Sequence, residues 1–134
     1  MVPEWPAGTV AVLVTGEDRH AIPVSTAVRL SADVVAFGLG RRRGSLERLR
    51  SSPACSLTIV CGENVACTLY GSAHEAGEVE GIVAVRLTVE RVEDHMTDDF
   101  RIDAGVAWAW TDDEAKARDR DVRSGLAEFH PEPG

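Results

Sequence analysis

Three consecutive arginines, Arg41-Arg42-Arg43, form the one basic run in an otherwise acidic chain. Gly40 and Gly44 flank them, and Ser45 follows at the start of a short helical pattern. Guanidinium forks match phosphate oxygens in pairs, and glycines let backbone approach a ligand. A helix start adds free N–H groups and the positive end of the helix dipole. Residues 41–46 therefore read as a site for a small phosphate-like anion, with Ser45 as helix cap or as a further donor. A solvated connector whose arginines pair with the protein's own acidic surface fits the same residues.

A second candidate is Pro23-Val24-Ser25, inside a β-branched run. Proline cannot donate to a sheet ladder, so this strand is interrupted or lies on an edge. Its unpaired backbone groups can bond the polar edge of a flat ring, or the proline can simply block aggregation. Trp108 and Trp110 alternate and so share a face in an extended chain, packing in a core, at a dimer seam or against a ring. Cys55, Cys61 and Cys67 are spaced like no common zinc knuckle or redox pair, and alternation puts Cys55 and Cys61 on one face with Leu57 and Ile59 as buried thiols. His20, His74, His95 and His130 are scattered without metal-ligand spacing, and Asp98, Asp99 and Asp103 do not match a calcium loop. There is no nucleophile elbow, Walker loop or dinucleotide fingerprint.

The elements that must position these residues are mostly strands. The 134 residues are 44% apolar and 27% charged, the signature of one folded domain. Net charge is −8; residues 1–60 carry seven basic and five acidic side chains, residues 61–134 seven and seventeen. That balance repels nucleic acid. No apolar run is long enough to cross a membrane as a helix and no export pattern opens the chain, so the expected location is cytoplasmic. Strands are expected at 9–15, 20–28 and 34–39, and at 54–61 and 65–75 around the turn Gly62-Glu63-Asn64. Further strands are expected at 82–92, with Val83, Val85, Leu87 and Val89 inward, and at 101–110. A short helix capped by Ser45 and ended by Pro53 carries Leu46 and Leu49 on one face. Thr111 to Glu114 fits a capping box for a final helix striped by Ala115, Val122, Leu126 and Phe129, and residues 131–134 form a loose tail. The expected fold class is β with minor α: an antiparallel six- to seven-stranded split barrel over residues 1–110, with a short inserted helix. The C-terminal helix and tail (111–134) pack on the same domain.

Three stretches, in this order and spacing, resemble one family. The first is the hairpin from Thr15 to Ser25, with His20-x-x-Pro23-Val24. The second is Phe37-Gly38-Leu39 running through the arginine loop and short helix to Pro53. The third is Pro53-Ala54-Cys55-Ser56-Leu57 onward through Leu69-Tyr70-Gly71-Ser72-Ala73. From Gly8 to about Val92 the chain resembles the pyridoxamine-phosphate-oxidase-like split barrels, which bind flavin or deazaflavin coenzymes. The resemblance implies FMN, with a deazaflavin as alternative, bound at the seam of a homodimer by Pro23, Val24, Ser25, Phe37, Gly38, Leu39, Arg41, Arg42, Arg43, Ser45, Leu46 and Trp108. FMN is preferred because the acidic half leaves little cationic surface for a deazaflavin's long acidic tail. Redox chemistry would belong to the coenzyme, so no catalytic side chain and no metal are assigned. Two positions depart from the pattern: Leu39 stands where many members have Thr, and Ser45 where they commonly have a phosphate-binding Lys. These departures favour the competing reading, a non-catalytic coenzyme-binding or interaction barrel. The substrate is not legible.

Overall fold

The computed structural model describes residues 1–129, so His130 and the expected loose tail fall outside the described residues. Seven strands follow one another: β1 (Ala11–Thr15), β2 (His20–Val24), β3 (Val28–Arg29), β4 (Val34–Leu39), β5 (Ala54–Cys61), β6 (Val65–Val79) and β7 (Ile82–Asp94). Helix α1 (Gly44–Ser51) lies between β4 and β5, and α2 (Asp113–Leu126) follows β7.

All pairings are antiparallel, in the order β2-β1-β5-β6-β7-β4-β3. The two edges are thus β2 and β3, yet only Ser25, Thr26 and Ala27 separate them in the chain. Laid flat, seven strands spaced by about 4.8 Å would hold those edges about 29 Å apart. Four residue steps of extended chain reach about 14 Å. The sheet must therefore curl until its edges nearly meet, which makes it the split barrel expected from the sequence. Register shifts in β6 at Tyr70/Gly71 and Glu75/Gly77 supply bends that favour this curl. Gly71 is required there, since a Cβ would sit 1.9 Å from the Thr88 carbonyl oxygen on β7.

Alternation fills the barrel. Leu13, Leu57, Ile59, Val85 and Leu87 are among the side chains buried inside, with Phe37 fully enclosed. Val83 is buried as expected, and Val89 packs partly against the same core. β4 and β7 are buried on their outer faces too. Ala36 and Ala84 there form a second small core with Val122 and Leu126 of α2, and Phe129 packs partly against it. The expected apolar stripe thus seats the helix, while Ala115 lies only half-buried at its start.

Three local expectations are corrected. Residues 101–110 form no strand and lie mostly exposed. Among the described residues the sheet edges are β2, which carries Pro23, and the two-residue β3, and the segment pairs with neither. It instead runs past the β5–β6 turn, where the Ile102 N–H donates to Asn64 Oδ1 and Gly105 fits against the Val60 carbonyl. Ser45 does not cap α1. The cap position is Arg43, and Ser45 lies inside the helix, fully buried. It stands one turn before Leu49, so the rotation that buries Leu46 and Leu49 carries it inward as well. Helix α2 is capped one residue later than expected: Asp112, not Thr111, accepts the Ala115 N–H at 2.7 Å. Asp113 and Glu114 remain in the first turn, where the helix dipole favours them.

Candidate functional site

The seam where the curled sheet fails to close is also a hollow lined by many of the sequence-predicted residues. There a groove of about 390 Å³ is walled by β2, the 25–27 link, the end of β4, the first half of α2 and the 108–110 segment. That volume lies within the range of roughly 300–1,000 Å³ typical of sites for small organic ligands.

Each wall follows from local sequence. Edge strand β2 contributes Ile22, Pro23 and Val24; it pairs with β1 on one side only, leaving backbone groups of its other side without a ladder partner. Thr26 Oγ1 accepts the Gly38 N–H at 3.0 Å, stitching the link to β4 across the split. Gly38, Leu39, Gly40 and Arg43 also line the groove. The opposite wall is α2, through Ala115, Arg118, Asp119 and Val122. Trp108 and Trp110 meet edge to face, ring centres 5.6 Å apart, and both line the groove while remaining more than a third exposed.

Asp119 is the polar anchor of this arrangement. Its carboxylate is buried, accepts the Ser25 hydroxyl at 2.7 Å through Oδ1 and accepts Arg123 Nε at 2.9 Å through Oδ2. It thereby ties α2 to the link that closes the barrel.

Of the residues predicted from sequence, the structure brings Pro23, Val24, Ser25, Gly38, Leu39, Arg43 and Trp108 together at this groove. It does not bring the others. Phe37 and Leu46 are core side chains, 0% and 1% exposed. Arg41 pairs with Glu78 of β6, and Arg42 is exposed outside the groove lining. Ser45 is buried beneath α1, its Oγ without a hydrogen-bond partner. The basic run therefore divides: one guanidinium faces the groove and one neutralises the protein's own acidic surface. Arg48 and Arg50 behave like Arg41, pairing with Asp18 and Glu75 and tying α1 to the β1–β2 turn and to β6. The Arg48 guanidinium holds the Asp18 carboxyl below its usual range.

Sequence reading missed Thr26, Arg118 and Asp119. For Asp119 a signal existed: it stands four residues after Ala115 and three before Val122, a charge on the helix's apolar stripe. Cys61 and Cys67 are buried and Cys55 half-buried, all away from the groove lining. Burial pushes the Cys55 thiol up to about 12 and the Cys67 thiol to about 11. Among the described residues no group of three or more His, Cys, Asp or Glu side chains is placed to hold a metal, and no helix is long and apolar enough to cross a membrane.

This architecture is the split barrel of the pyridoxamine-phosphate-oxidase-like and flavin-binding proteins. One similar structure is HupZ from Group A Streptococcus, at 12% identity and TM-score 0.58, covering 72% of this chain and 90% of that one. Another is a provisionally assigned pyridoxamine 5'-phosphate oxidase from Listeria innocua, at 14% identity and TM-score 0.55, covering 65% and 88%. A third is the NADH:FAD oxidoreductase SgcE6 of Streptomyces globisporus C-1027, at 13% identity and TM-score 0.55, covering 65% and 75%. At such identities the likeness is one of fold. No family model and no curated relative matches the sequence.

Proposed function

We propose that this chain is a flavin-dependent oxidoreductase that holds FMN in the seam groove. The observation that carries the reading is the groove's composition: an apolar slot with two exposed indoles, an edge strand with free backbone groups, and two guanidiniums, Arg43 and Arg118, in its lining. These residues fit a flat heteroaromatic ring with an anionic tail. Arg43 would hold the phosphate, Trp108 would cover a ring face, and the β2 backbone beside Pro23 and Val24 would bond the ring's polar edge. When bound, the coenzyme supplies hydride and electron transfer. The protein orients it and excludes water, and no side chain of the groove is assigned as catalytic.

A homodimer belongs to this proposal. What supports it is exposed apolar surface: Trp108 of the groove, Val12 of β1, Val60 of β5 and Val106 are each more than 40% exposed. A second copy would bury that surface and cover the open side of the groove.

The test is thermal. FMN at a hundredfold excess over Kd adds about 2.7 kcal/mol, a rise of roughly 10 °C in Tm for a chain of this length. Arg43→Ala should abolish most of that rise, whereas Arg42→Ala, outside the groove, should not. Bound flavin should also quench tryptophan fluorescence, and Trp108→Phe should recover part of it. A colourless protein whose Tm ignores both FMN and a deazaflavin would decide for a non-catalytic barrel. The burial of Leu39 and Ser45 favours that second reading, since neither side chain offers a polar group to a ligand.

A further inference from the structure

We infer that the chain carries a second ligand site, formed where the N-terminal segment crosses β3 and α2, for a phosphate monoester bearing a flat ring. A hollow of about 450 Å³ lies there, and its lining includes Trp5, Arg29 and Arg123 with Glu4. It shares none of its lining residues with the seam groove.

Both cations of this site are held in place at Nε, and the charge of Arg123 is balanced by Asp119. Arg29 Nε donates to the Val2 carbonyl at 3.0 Å, and Arg123 Nε donates to Asp119 Oδ2 at 2.9 Å. Each guanidinium has five N–H donors, so fixing one at Nε orients the plane and leaves the terminal nitrogens. Those terminal nitrogens have no partner among the described residues. Two oriented forks, one of them with its charge unbalanced, offer N–H donors to several oxygens of one anion, which suits a phosphate monoester better than a lone carboxylate.

The third wall selects for a ring. The Trp5 indole donates Nε1–H to the Ala27 carbonyl at 3.0 Å, which spends its polar handle and leaves the ring to line the hollow. The segment carrying it is itself anchored, with Val2 buried and its N–H donating to the Ala32 carbonyl at 2.8 Å. Glu4 is exposed and is the one carboxylate of the lining, so it opposes an anion. Asp119 joins the two grooves: its carboxylate lines the seam, and the guanidinium it holds lines this hollow.

Titration of the Arg43→Ala/Arg118→Ala variant with phenyl phosphate and with inorganic phosphate tests the site apart from the flavin reading, because both cations of the seam lining are then absent. The Trp5 indole N–H resonance is followed by NMR. Saturable binding is expected, tighter for phenyl phosphate and weakened by salt, with the Trp5 signal shifting. Arg29→Lys should weaken it roughly tenfold by removing a fork while keeping the charge. Glu4→Gln, at an exposed position that folding does not depend on, should tighten it roughly threefold. The inference is overturned by a Trp5 resonance unmoved by either compound, or by binding indifferent to both substitutions. It is equally overturned if binding vanishes in Arg43→Ala/Arg118→Ala and is present only in the unsubstituted protein.

Discussion

The contact between Ser25 and Asp119 closes the barrel's seam onto helix α2, and a double-mutant cycle measures it. The hydroxyl and the carboxylate are both buried and 2.7 Å apart, so removing either takes away the other's protein partner. Hydrogen bonds to charged groups contribute about 1.5–3 kcal/mol, and removing one partner of a buried ion pair costs about 3–5 kcal/mol. Arg123 keeps 22% of its side chain exposed and recovers some hydration, so the lower end applies. Asp119→Ala should therefore destabilise the protein by about 3 kcal/mol and Ser25→Ala by about 1.5 kcal/mol. The double variant should fall short of their sum by at least about 1 kcal/mol, the coupling expected of residues in direct contact. Urea unfolding gives all four corners of the cycle, provided the m values agree. Strict additivity would refute the reasoning. It would mean that the link is held by its covalent ends and by Thr26, and that Asp119 serves Arg123 alone.

Other outcomes follow from the same structure. Cys55 and Cys67 keep their protons up to about 12 and about 11 when folded, against an ordinary value of 9.0, so between pH 9 and 11 the unfolded chain loses protons that the folded one retains. Stability therefore falls as pH rises, by about 1.4 kcal/mol per thiol at pH 10. Cys67→Ala should flatten the change in urea midpoint between pH 8 and pH 10, and an unchanged slope would count against buried thiols as its cause. Gly71→Ala drives a methyl group to 1.9 Å from the Thr88 carbonyl oxygen and should cost about 3 kcal/mol by thermal unfolding. Gly105→Ala meets the Val60 carbonyl at 2.7 Å, but in an exposed segment outside the sheet that can lift away, so its cost should stay below about 1 kcal/mol. Equal costs for the two glycines would show that the 101–110 segment is locked as firmly as the sheet.

What the sequence made legible was whatever depends on neighbours along the chain. Alternation in 82–92 and 54–61, the turn at Gly62-Glu63-Asn64 and the stop at Pro53 all correspond to observed elements, because each is set within a few residues. The arginine run was legible as a cationic loop, but its division was not. Arg41 turns away because β6 continues to Val79 and brings Glu78 beside it, four residues beyond the strand end expected from the pattern. The tryptophans show the opposite failure. Their alternation suggests a strand, yet a strand needs a free edge, and edges are a property of the whole sheet. Asp119 was passed over for a similar reason. Its place on the apolar stripe was readable, but on a helix with many acids that place stands out only once its neighbours on the stripe are known to be buried.

The seat of α2 shows why the groove and the core cannot be separated. The helix reaches the sheet at Ala36 and Ala84, and a Cβ at Gly38 would come within 3.2 Å of Val122 and 2.9 Å of Ile82. Larger residues at these three places would hold the helix off by the width of a methyl group or more. That displacement would move Ala115, Asp119 and Val122, which form one wall of the seam groove, away from the Pro23–Ser25 wall opposite. Groove width is thus set in part by Ala36 and Ala84, which lie outside the groove lining, and by the three-residue link that forces the sheet edges together. A substitution at Ala36 or Ala84 would read in a binding assay as a site mutation, although its whole effect passes through packing.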